Sequence, residues 1–137
     1  MPRSIFSLPV MAAMLLLSSP LIAADVPDAA ASSVMSVQQF LNKAKHLKEK
    51  GPFALLSPDF DLLSHVGEAA DDAWKAQLKH SPKPACPPST DISIKDKDFM
   101  AFMHAIPKED RDHISVNEAY IQGMNKRYPC NESSSHY

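Results

Sequence analysis

Apolar residues return every three to four positions at the start of the chain's most regular stretch. Val37, Phe40, Leu41, Ala44 and Leu47 share one helical face, while Lys43, Lys45, Lys48, Glu49 and Lys50 occupy much of the rest. Ser36 with Gln39 three residues on forms a capping-box pair at its start. Gly51 followed by Pro52 ends it, the glycine as a left-handed cap and the proline as a stop. Phe53, Ala54, Leu55 and Leu56 follow as a short apolar piece, expected to make a helical turn tucked into the core. Ser57-Pro58-Asp59 then reads as N-cap, first-turn proline and an acid on the helix dipole. Leu62, Leu63, Val66, Ala69, Ala70, Ala73, Trp74 and Leu78 predict a long amphipathic helix ending near Lys79.

The pattern breaks over residues 80–92, where Pro82, Pro84, Pro87 and Pro88 surround Cys86 and leave no room for a regular element. A third helix is predicted at about 96–105, capped by Ser93 and Asp96, with Phe99, Met100, Phe102 and Met103 as its apolar residues. Ile106-Pro107 must end it, because proline disfavours the helical conformation of the residue before it. A single charged turn spans Pro107, Lys108, Glu109, Asp110 and Arg111. Ser115 and Glu118 make a second capping box. Val116, Ala119, Tyr120, Gly123 and Met124 carry a last helix to Tyr128-Pro129-Cys130. No run alternates long enough to build a sheet. The expected class is all-α: a small bundle of about four helices closed by one disulfide.

The first residues carry a different signal. Arg3 gives a basic start, residues 8–17 are apolar, and Ser18 to Ala24 form a small-residue exit before Asp25. That order is a secretory leader, with a cut expected after Ala24. The competing reading is a retained anchor, but the run falls short of the roughly 20 apolar residues a membrane-spanning helix needs. The expected organisation is a signal peptide at 1–24, a flexible lead-in at 25–35, a helical domain at 36–130 and a flexible tail at 131–137. The location implied is periplasmic or secreted, without stable membrane insertion.

Export changes the meaning of the cysteines. Cys86 and Cys130 are the chain's two cysteines, and an even count in an exported small protein reads as a disulfide. Free thiols are the alternative. The bridge would close a loop of about 45 residues and contribute on the order of 4 kcal/mol in the chain-entropy model. Loss of the leader removes Arg3 and moves the formal charge from −2 to −3. A mildly acidic domain with scattered lysines offers no basic face for nucleic acid.

Candidate chemistry adds little. His46, His65, His80, His104, His113 and His136 include no pair at helical spacing, so no metal site is expected. If the two cysteines bridge, no thiol nucleophile remains. Asp71-Asp72 and Glu109-Asp110 are adjacent acids that point in different directions on a helix. With three glycines there is no phosphate-cradling loop. The expectation is a binding protein rather than an enzyme, with no cofactor. Phe99, Met100, Phe102 and Met103 read either as core or as a soft binding surface.

The C-terminal half resembles a known family. Cys86-Pro87-Pro88, the helix through Phe99, Met100, Phe102 and Met103, the Ile106-Pro107 break with its charged turn, and the helix ending in Arg127-Tyr128-Pro129-Cys130 are similar to the Rap1a/Tai immunity domain. The match covers residues 86–130. The family's usual cysteine in the first helical region is missing here. The resemblance implies a small periplasmic helical protein, often dimeric, that binds and blocks a type VI secretion amidase toxin acting on peptidoglycan. A homodimer and an amidase partner are therefore expectations. The turn at Lys108, Glu109, Asp110 and Arg111, together with the loop around Cys86, is the candidate partner-binding surface. The runner-up reading is a periplasmic stress or chaperone-like protein, in which six histidines and sixteen acids would shift the charge strongly on acidification.

Overall fold

A computed structural model describes residues 33–131. The leader, most of the lead-in, and all of the tail except Asn131 lie outside the described residues. From Val37 on, the described residues form α1 (Val37–Lys50), α2 (Pro58–Gln77), α3 (Asp96–Ala105) and α4 (Val116–Arg127), with a 3-10 helix (Gly51–Leu56) between α1 and α2. Among the described residues there is no strand, only an isolated antiparallel bridge between Ser36 and Ser115. The all-α bundle is as expected, and Cys86 and Cys130 form its disulfide with Cα atoms 4.8 Å apart.

The two capping boxes are both present. Ser36 Oγ accepts from Gln39 N, and Ser115 Oγ accepts from Glu118 N. In each, the side-chain oxygen three residues on accepts a hydrogen bond from the cap's own N–H. The two helix starts also complete one another. Val37 N donates to Ile114 O at 2.9 Å, and Val116 N donates to Met35 O at 3.0 Å. First-turn amides have no partner within their own helix, so placing α1 and α4 start to start satisfies one from each. Met35, assigned to the lead-in by its sequence, is buried in the core.

The core is built from the predicted faces. Val37, Phe40 and Leu41 of α1 meet Leu63, Val66, Ala70 and Trp74 of α2, Met103 of α3, and Val116, Ala119, Tyr120 and Met124 of α4. The α2–α4 contact is the most extensive, and α4 also packs on α3. Two tilted ring contacts, Phe40–Phe99 at 5.3 Å and Phe99–Tyr120 at 5.4 Å, tie three helices together. Trp74 donates its indole N–H to Asn125 Oδ1 at 3.0 Å, so this fully buried ring keeps a partner.

Residues 80–95 carry no helix or strand, in keeping with the prolines. The segment is nevertheless anchored: Ala85 is buried, Cys86 N donates to Tyr128 O at 2.9 Å, and the disulfide lies beside that hydrogen bond. Two further details depart from the sequence reading. Lys95, not Ser93 or Asp96, is the N-cap of α3, and no side chain caps that end. The second is the 3-10 helix, which does not tuck inward.

Candidate functional site

Gly51 has φ +56°, outside the range that side-chain-bearing residues favour, and its N–H closes α1 on Lys48 O. The backbone turns sharply there, and Pro52 starts the 3-10 helix that follows. The turn carries Phe53, Leu55 and Leu56 out of the bundle, where they are 71%, 68% and 82% exposed. Only Ala54 of this segment faces partly inward. An apolar tetrad in a folded chain normally goes into the core; here it forms a knuckle on the surface. Phe60, in the first turn of α2, is a further exposed apolar side chain close by in sequence.

The knuckle is held from both ends. Ser57 N donates to Ala54 O at 3.0 Å, and Lys50 Nζ donates to the buried Ser57 Oγ at 2.9 Å. Behind it, Lys43 Nζ meets Asp59 Oδ1 at 2.6 Å and bridges α1 to α2. That hydrogen bond holds the Asp59 carboxyl below its usual range, against a smaller opposing effect of burial. Three polar links thus fix a piece of chain that contributes no buried large side chain.

Beside the knuckle lies an open groove of about 670 Å³, running between α1, α2, the segment before α3, and α3 itself. Its apolar lining includes Phe40, Leu47, Phe60, Phe99, Met100 and Tyr120. Of the α3 residues read as core or binding surface, Met103 is fully buried, while Phe99 and Met100 are half-buried in this lining. Four charged side chains border the groove: Lys48, Glu68, Asp71 and Asp96. Asp71 is already engaged. Tyr120 donates its hydroxyl to Asp71 Oδ1 at 2.7 Å, and Lys75 Nζ lies 2.6 Å from Asp71 Oδ2. Burial, then the bond to Asp71, drives the Tyr120 pKa well above the ordinary phenol value; the same carboxylate raises that of Lys75.

The charged turn stands elsewhere. Lys108, Glu109 and Asp110 are exposed, but Arg111 folds back on the bundle. Its Nε donates to Ile106 O at 2.9 Å and its terminal nitrogen donates to His104 O at 3.0 Å, while Gln38 N donates to Arg111 O. Arg111 therefore closes the open carbonyl end of α3 and ties it to α1, so its guanidinium is committed within the fold. The loop around Cys86 lies by the C-terminus of α4, held to Tyr128.

Among the described residues no group of three or more His, Cys, Asp or Glu is placed to hold a metal ion, and no helix is long and apolar enough to cross a membrane. His136 lies outside the described residues. Comparison with known proteins gave no matching family model, no matching curated protein and no matching solved structure. The exposed residues Phe53, Leu55, Leu56 and Phe60 were missed as surface features because apolar composition alone points inward. The signal available was Gly51-Pro52, which interrupts the helical period just before them.

Proposed function

We propose that this chain is an exported helical binding protein that blocks a protein partner by steric occlusion. The observation that carries the reading is the knuckle: three large apolar side chains displayed on a short helix that is held at both ends. Interfaces draw their affinity from a few such anchors in a desolvated centre, and large apolar patches left on a surface mark interaction sites. A fixed backbone lowers the ordering cost of binding. The similarity of residues 86–130 to Rap1a/Tai immunity domains makes a peptidoglycan amidase effector the first partner to test. In this reading the knuckle, rather than the turn at Lys108, Glu109 and Asp110, supplies the anchors.

The test is a pull-down with the oxidised exported protein against periplasmic extract of its host, read by mass spectrometry, beside a Leu55→Asp variant. Stoichiometric recovery of an amidase by the native protein, lost with the variant, supports the reading. Equal recovery by both would remove the knuckle from it. The same exposed patch also suits a stress or chaperone-like protein. Such a protein would recover many unrelated clients and bind far more of an apolar-surface dye at pH 3 than at pH 7. An amidase recovered alone, with dye binding unchanged by acid, excludes that alternative.

A further inference from the structure

The groove beside the knuckle points to the chemistry of what binds. We infer that it receives an apolar segment of a partner protein that carries a lysine or arginine within one helical turn of its anchoring side chain. This rests on the binding-protein reading above and adds the partner's charge. The groove's volume, about 670 Å³, falls in the range of roughly 300–1,000 Å³ that accepts ligand groups. Its floor is aromatic and thioether: Phe40, Phe99 and Tyr120, with Met100 half-buried at the side. The Met100 thioether can adapt to anchors of different shape, while the rings offer rigid apolar faces.

The border selects charge. Asp71 is occupied by Lys75 and Tyr120. Glu68 on α2 and Asp96 at the start of α3 then stand against Lys48 on α1. Asp96 lies in the first turn of α3, where the helix dipole favours a negative charge. An incoming cation between α2 and the α3 start would meet two acids from two different elements. An acidic segment would meet the same two as repulsion. Electrostatic complementarity of this kind sets partner choice more than raw affinity.

Three synthetic twelve-residue peptides with one apolar pattern, carrying Lys, Gln or Glu at the same polar positions, separate the possibilities. Each is titrated into the oxidised exported protein and followed by amide NMR shifts. The Lys peptide is expected to move the amides of Ala44, Ser64, Gly67 and Ile94 and to bind tighter than the Gln peptide, with the Glu peptide weakest. Glu68→Gln with Asp96→Asn should weaken the Lys peptide about three- to tenfold and leave the Gln peptide unchanged. Both side chains are exposed, and an unchanged circular dichroism melt would show that the fold is kept. Indifference to peptide charge, shifts confined to another face, or no binding by any peptide would overturn the inference. Failure of the amidase pull-down with charge-selective peptide binding intact would sink the partner assignment alone. A native amidase complex unaffected by the double variant would sink the groove's role alone.

Discussion

Gly123 lies flat against the ring of Phe102: a Cβ built on the glycine would stand 2.3 Å from Phe102 Cγ and 2.5 Å from Cδ1. The contact lets α4 approach α3 closely, and a methyl group there forces the ring or the helix to move. Gly123→Ala is expected to lose about 1–3 kcal/mol by overpacking, despite the gain in helix propensity that alanine brings. Urea unfolding of the single variants, of Phe102→Ala and of the double variant measures it. The double variant should be more stable than the sum of the singles predicts; strict additivity would mean the clash is relieved elsewhere.

Tyr120 gives an alkaline prediction. Its folded pKa is raised, first by burial and then by its bond to Asp71, so the folded state holds the phenol proton more tightly than the unfolded chain does. The sign follows from linkage: this contribution is fully present below the unfolded value of about 10 and falls as pH rises beyond it. Stability should decline above about pH 10 in the native protein, and Tyr120→Phe should decline less steeply. At neutral pH the same variant should lose about 1–2 kcal/mol, because one hydrogen bond goes while Asp71 keeps Lys75. Equal slopes at high pH would place the titration elsewhere.

Lys43 and Asp59 give the acid counterpart. The hydrogen bond from Lys43 lowers the Asp59 pKa, so its contribution is present above the ordinary carboxyl value of 3.8 and is lost as pH falls through the lower folded value. Lys43→Met should flatten the acid limb of a stability–pH curve below pH 4. An unchanged limb would show that the pair, at the protein surface, contributes nothing to folding, as many surface pairs do.

The disulfide spans 44 residues of sequence, and both half-cystines belong to exposed residues. Replacing both by serine is expected to cost about 4 kcal/mol in the chain-entropy model. For a domain of this size that lowers Tm by roughly 15–30 °C. A much smaller drop would mean that the Cys86–Tyr128 backbone hydrogen bond and the Trp74–Tyr128 ring contact already hold the 80–95 segment in place.

What the sequence revealed was local. Ser36 with Gln39 and Ser115 with Glu118 each declare a helix start within four residues, and Pro107 forces the end of α3. Core positions such as Val66, Trp74 and Met124 follow from helical period. What it hid depends on direction in space. Nothing in Phe53, Leu55 and Leu56 tells which way the chain turns after Gly51, and the positive φ there sends them outward. The groove was hidden for a similar reason, since Phe40, Phe99 and Tyr120 come from three helices. The Ser36–Ser115 pairing joins residues far apart in sequence, and no short motif encodes it.

The charged turn separates structural from binding roles. Arg111 donates to His104 O and Ile106 O, carbonyls in the last turn and at the C-cap of α3, where the ending helix supplies no backbone partner. Arg111→Ala should therefore cost about 1.5–3 kcal/mol, the range for hydrogen bonds that involve a charged group. Lys108→Ala, Glu109→Ala and Asp110→Ala, at exposed positions, should each stay within about 0.5 kcal/mol. Denaturant unfolding of the four variants gives the stability order, and the amidase pull-down gives the binding order. If the turn were the partner-binding surface, the three exposed substitutions would weaken capture with stability unchanged. If the knuckle carries binding, all three should capture as the native protein does, and Arg111→Ala should fail only where it unfolds.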